Sequence, residues 1–149
     1  MNNPIKEIYR FNEKAGLLDK GYDDTLESSF QIEEALEGFD ITFLALLLNM
    51  HEDMMSPKDI SRSIISKVSG ELSDVDRLDK ACDAVVFAVG SMAKLGLNPN
   101  QITKALNIVM QANFKKLGMS KDSEGKLMKP EGFEGPEPLL QKVLDERNS

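Results

Sequence analysis

Apolar residues in this chain recur three and four positions apart in one segment after another, and no convincing run of β-branched residues alternates with polar ones between turns. A spacing of three and four collects side chains on one face of a helix, whereas a half-buried strand needs a repeat of two. The expected fold class is therefore all-α. A first helix is expected over about residues 4–15, followed by the turn-prone "GLLDKGYDD". A long second helix is expected from Asp24 to Met50, with a bend near Gly38. "SPKDISRSIISKVSG" reads as a short connector helix with Ser56 as N-cap, Pro57 at its first position and Asp59 complementing the dipole. "SDVDRLDKACDAVVFAVGSMAKLG" reads as a long helix capped by Ser73 or Asp74 and stopped at Gly96. In it Val75, Leu78, Cys82, Val85, Val89 and Met92 alternate three and four apart, which predicts a packed stripe. A last long helix over about Pro99 to Leu117 ends at Gly118, and the Gly-, Pro- and Lys-rich "SKDSEGKLMKPEGFEGPEP" beyond it reads as a loop before a short terminal helix over "PLLQKVLDE". Four main helices predict a four-helix-bundle-like core in a single domain over residues 1–149, a length sufficient to bury a core without staples.

The longest apolar run, "ITFLALLLNM", is about half the roughly 20 residues that a bilayer requires, so no membrane span is expected. The first residues, "MNNPIKEIYR", carry no signal-peptide apolar region, and a lone cysteine, Cys82, fits a reducing compartment. The expected location is cytoplasmic. Eighteen Lys and Arg against 25 Asp and Glu give a net charge of −7, which disfavours binding to duplex nucleic acid but leaves anionic ligands open where metal ions mediate.

Acids occupy positions where a core should be building. On the expected second helix, Leu26, Phe30, Glu33, Glu37, Ile41, Leu44 and Leu48 share one stripe, and Glu34 borders it three residues before Glu37. An unpaired ionised carboxylate is too costly to bury, so these three glutamates require cations, protons or water. On the later helix, Asp76, Asp79 and Asp83 follow at spacings of three and four beside the apolar stripe. Two facing acidic helices are what a hard divalent cation such as Mg²⁺, or in its place Mn²⁺, would need in oxygen ligands and charge balance. The last long helix repeats the anomaly, because Ile102, Leu106, Val109, Asn113 and Lys116 form a stripe with two polar members. Lys116, Lys126 and Lys129 are candidates for contacts with phosphate oxygens, with Asn113 supplying a neutral hydrogen bond. Lysine near a helix C-terminus is also what the dipole favours. Other carboxylate schemes match less well. A ferritin-like bundle needs Glu-x-x-His, but His51, the sole histidine, has Leu48 three positions before it; an EF-hand beginning at Asp74 and Asp76 is broken by Leu78 and Asp79. A pair of spaced carboxylates suits a glycosidase, yet a small all-α bundle offers no obvious sugar cleft.

"EEALE", "DKACDAVVFAVG" and "ANFKKLG…DSEGKLMKPEGF" together resemble the MazG-like branch of the all-α nucleoside triphosphate pyrophosphohydrolases, a superfamily that also holds phosphoribosyl-ATP pyrophosphohydrolases. The resemblance covers about residues 24–135. Its Glu-Glu-x-x-Glu element is matched by Glu33, Glu34 and Glu37; its Glu-x-x-Asp element is matched only at Asp83, with Lys80 where the glutamate is expected and Asp79 as the substitute. The resemblance implies Mg²⁺-dependent hydrolysis between the α- and β-phosphates of a nucleotide, with Glu34, Glu37 and Asp83 as leading metal ligands, Glu33 as ligand or base and Asp79 as auxiliary. It also implies a homodimer or a dimer of dimers. The alternative is a non-catalytic acidic helical module that binds a divalent metal or a basic protein partner.

Overall fold

The computed structural model describes residues 2–19, 21–123, 126–129 and 131–148, with the backbone alone of residues 52 and 148. Among them are seven α-helices and no strand, so the chain is all-α. In order these are α1 (Pro4–Lys14), α2 (Asp24–Leu36), α3 (Thr42–Leu47), α4 (Pro57–Ile65), α5 (Asp74–Lys94), α6 (Pro99–Lys115) and α7 (Glu137–Asp145). Single 3₁₀ turns lie at Glu52–Met54 and Glu146–Asn148. No single described helix is long and apolar enough to cross a membrane.

Local chemistry sets most of the helix starts. Asn3, Asp23 and Asn98 each accept hydrogen bonds from the first-turn amides that a helix leaves without partners. Ser56 and Asp59 form a reciprocal capping box at α4, and Asn98 and Gln101 form another at α6. At α5, the Asp76 amide donates to Ser73 Oγ at 3.2 Å while the Ser73 hydroxyl donates to Asp76 at 2.6 Å.

The long helix expected from Asp24 to Met50 is two helices. α2 stops at Leu36, Glu37 is extended (φ −58°, ψ 134°), and Gly38 takes φ +83°, where a Cβ would be strained. Asp40 Oδ1 then accepts the Thr42 amide at 3.0 Å and starts α3. α3 closes before Met50 because Asn49 is left-handed at φ 53°, with the Asn49 amide bonded to Leu46 O and the Met50 amide to Ala45 O. That is a Schellman closure, which supplies partners to the last carbonyls. In the expected C-terminal loop, Lys121 and Leu127 form an isolated antiparallel bridge, and the Asp122 amide donates to Lys126 O at 2.9 Å.

The helices sort into two compact units, and the boundary at residues 81/82 falls inside α5. In the unit of residues 21–81, α2 packs on α4. The facing side chains include fully buried Ser29 and Ser61 and buried Ile60, and each serine hydroxyl donates to a carbonyl of its own helix, so small side chains let the backbones approach without stranding a polar group. In the other unit, Leu97, Ile102, Ala105 and Val143 form an apolar cluster that Met92, Leu106, Ile108, Leu140 and Leu144 surround. α1 joins α6 there through Phe11 and Phe114, whose rings meet edge to face at 5.8 Å between centroids. Arg10 and Lys14 lie over the same Phe114 ring.

The stripe expected to be packed along α5 is covered only at its end, where half-buried Met92 packs on the apolar cluster. α5 buries none of its 21 residues. Val75, Leu78, Val85, Val86 and Val89 are exposed, and the side of α5 turned to α2 is the polar one, where Arg77 meets Asp24 and Lys80 meets Ser28.

Candidate metal and phosphate site

The five acids singled out as metal ligands occupy three different settings. Glu33, in the last turns of α2, is buried at 7% exposure. Its Oε2 lies 3.5 Å from Nη2 of Arg62 on α4. Arg62 is in turn positioned by Ser61, whose Oγ accepts from Nη1 at 2.9 Å, and by the Phe30 ring, 5.1 Å from the guanidinium carbon. The cation that a buried carboxylate requires is therefore supplied here by an arginine of the same unit. Glu34, one residue on, is exposed. Glu37 is exposed beyond the end of α2, so the helical spacing that would set it one turn from Glu34 and Glu33 no longer operates. Asp79 and Asp83 are both exposed on α5.

Magnesium takes hard oxygen ligands, and carboxylates are the right donors for it. Among the described residues, however, no three carboxylate, histidine or cysteine side chains stand close enough to hold a metal ion. As a single chain arranges them, these residues do not fit a Mg²⁺ centre.

Lys80, at the position where the resembling family carries a glutamate, donates to Ser28 Oγ on α2. One turn earlier, Arg77 grips Asp24 through Nε at 3.2 Å and Nη2 at 2.9 Å, while its Nη1 reaches Asp74 at 2.9 Å. The Arg77 hydrogen bonds hold the Asp24 carboxyl below its usual range, and the same two carboxylates raise the Arg77 guanidinium further. This stretch of α5 is thus a structural clamp on α2.

The proposed phosphate-binding residues lie in the other unit. Lys116, the residue that ends α6, donates to Asn113 Oδ1 at 2.9 Å and lies over the Phe133 ring at 5.5 Å. That contact engages the Asn113 carbonyl and leaves its NH₂ as the donor for a ligand. The Lys126 amide donates to Asp122 Oδ1 at 2.9 Å beside the Lys121–Leu127 bridge, and Lys129 is exposed. The segment between Asp122 and Lys126 includes residues 124 and 125, which lie outside the described residues.

Sequence reasoning missed Arg62, because nothing in local spacing marks it as the partner of a glutamate so far along the chain. Its only signal is a basic residue in the last turn of a helix rich in small and apolar residues. Comparison of the chain with models of known families, with curated proteins and with solved structures finds no match.

Proposed function

We propose that the protein is a nucleotide pyrophosphohydrolase, active as a homodimer or a dimer of dimers and dependent on Mg²⁺. Water would add to the α-phosphorus, the bond from that phosphorus to the bridging oxygen would break, and a nucleoside monophosphate and pyrophosphate would leave. The observation that carries this reading is the Glu33, Glu34 and Glu37 element itself, together with the exposure of Glu34, Glu37, Asp79 and Asp83. Three of these carboxylates, Glu37, Asp79 and Asp83, are thereby open to a ligand or to a second copy. Asn113, Lys116, Lys126 and Lys129 are the residues proposed to meet substrate oxygens.

A second reading is favoured by the ion pair between Glu33 and Arg62: a non-catalytic acidic helical module, in which that glutamate serves the fold and the exposed acids engage a divalent ion or a basic protein. One experiment separates the two. The chain is incubated with Mg²⁺ and a panel of ribonucleoside, deoxynucleoside and base-modified triphosphates, and the products are followed by phosphorus NMR. Monophosphate with pyrophosphate is expected, and Glu37→Gln is expected to abolish it while leaving the melting temperature within a few degrees. Glu33→Gln is expected to lose about 1 to 3 kcal/mol of stability, because it leaves the charge on Arg62 without its partner. Release of orthophosphate and a diphosphate would reject the assignment. No turnover on any of the panel would favour the module.

A further inference from the structure

α3 is apolar on both sides, yet only one side is covered. At about 100° per residue, Ile41, Leu44, Ala45 and Leu48 gather on one half of the helix, and all four are buried or half-buried, Ala45 completely. Phe43, Leu46 and Leu47 occupy the opposite half and are exposed at 73%, 59% and 64%. Exposed Phe39 precedes them in the chain and exposed Met54 follows, all within the unit of residues 21–81. A helix that is apolar all round belongs in a core or against a partner, and three large exposed side chains within six residues exceed the scattered single leucine of an ordinary surface.

Charge selects what can cover this face. Residues 21–57 hold nine Asp and Glu and no Lys or Arg. Glu37, Asp40 and Asp53, which flank α3 in the chain, are all exposed. The hydrogen bond from the Thr42 amide holds the Asp40 carboxyl below its usual range, so that charge persists into mild acid. Arg62 and Arg77 neutralise Glu33 and Asp24 instead. An anionic bilayer or a phosphate backbone would meet like charge here, and a second copy would bring acids towards acids. We infer that the Phe43, Leu46 and Leu47 face docks a basic amphipathic helix of another protein. Apolar anchors three and four residues apart on that helix would cover the three side chains, while its flanking lysines and arginines meet Glu37, Asp40 and Asp53. Neither reading of the acids uses this apolar face, and the inference holds with or without nucleotide turnover. Six helical residues make a small contact, so the complex belongs to the weak and transient class.

The test uses the full chain and a synthetic probe, a fluorescein-labelled peptide of leucine and lysine about 15 residues long with its leucines on one helical face. Fluorescence anisotropy should show saturable binding to the wild-type chain. Phe43→Ser and Leu47→Ser should each weaken it about tenfold or more, with helical circular dichroism unchanged because both residues are exposed. Leu139→Ser, an exposed leucine of α7, should bind like wild type. A peptide of the same composition with its leucines scattered round the helix should bind about tenfold more weakly than the amphipathic one. Added salt should weaken the complex without abolishing it, since the apolar anchors are not screened. Nucleotide turnover and the mass from light scattering should be the same in Phe43→Ser as in wild type, which keeps a failure here distinct from a failure of the nucleotide reading. Binding indifferent to both serine substitutions, equal binding of the scattered peptide, capture by phosphatidylserine vesicles that depends on Phe43, or a loss of mass in Phe43→Ser would each overturn the proposal.

Discussion

α5 and α6 are the two longest helices, with 21 and 17 residues, and both carry apolar residues three and four apart. α6 buries Ile102, Ala105, Met110 and Ala112; α5 buries nothing. The difference lies in what packs on them. α6 has α7 on one side, bringing Val143 into the cluster at 1% exposure, and α1 on another, bringing Phe11 against Phe114. α5 offers Arg77 and Lys80 to α2 and, apart from half-buried Met92 at its end, leaves Val75, Leu78, Val85, Val86 and Val89 open. Helical periodicity therefore establishes that an apolar face exists and says nothing about whether the same chain or another covers it.

The largest effect that bears on this contrast comes from truncating each face. Ile102→Ala should cost about 2 to 5 kcal/mol, since it removes buried methyl groups from a cluster that closes only partly around the gap. Leu78→Ala should cost less than about 0.5 kcal/mol when urea unfolding is run dilute enough to keep the chain monomeric. Equal losses would mean that α5 is covered within the chain, and the contrast would fail.

A smaller effect separates the helix starts. Asn98→Ala removes the side chain that accepts both first-turn amides of α6 and should lower global stability by about 1 kcal/mol. Ser73→Ala should be read mainly as faster amide hydrogen exchange over the first turn of α5, with a smaller global loss, because Arg77 still ties that turn to Asp24.

The smallest expected effect is in pH dependence, because the clamp between Arg77 and Asp24 is partly open to solvent and screened. The Asp24 carboxyl titrates lower in the folded chain than in the unfolded one, chiefly through its hydrogen bonds from Arg77. The folded state therefore binds that proton less well, and the stabilisation is present above about pH 3.9, the ordinary aspartate value, and lost as pH falls through the depressed one. Asp24→Asn should accordingly flatten the drop in urea midpoint between neutral pH and about pH 3 relative to wild type. An unchanged slope would place the acid sensitivity elsewhere.

Much of the helical layout was legible because it depends on neighbours within a turn. Ser56 with Asp59 and Pro57 announces α4, Pro99 marks the start of α6, and Gly96 at φ +88° and Gly118 at φ +86° follow the ends of α5 and α6. The break between α2 and α3 was legible only as a bend at Gly38, since Glu37, Phe39 and Asp40 can all continue a helix. What ends it is the positive φ at Gly38 together with Asp40 recruiting the Thr42 amide for a new start.

The candidate site divides in the same way. Residue spacing determined that three glutamates lie within five positions and that four aspartates crowd one half of α5. Only the tertiary structure decided that Glu33 is buried against Arg62, that Glu37 stands past the end of its helix, and that the valine stripe of α5 faces outward. The physical reason is range. Caps and turns are fixed by hydrogen bonds across three or four residues and so are written in local spacing, whereas burial and charge balance depend on side chains brought together from distant segments.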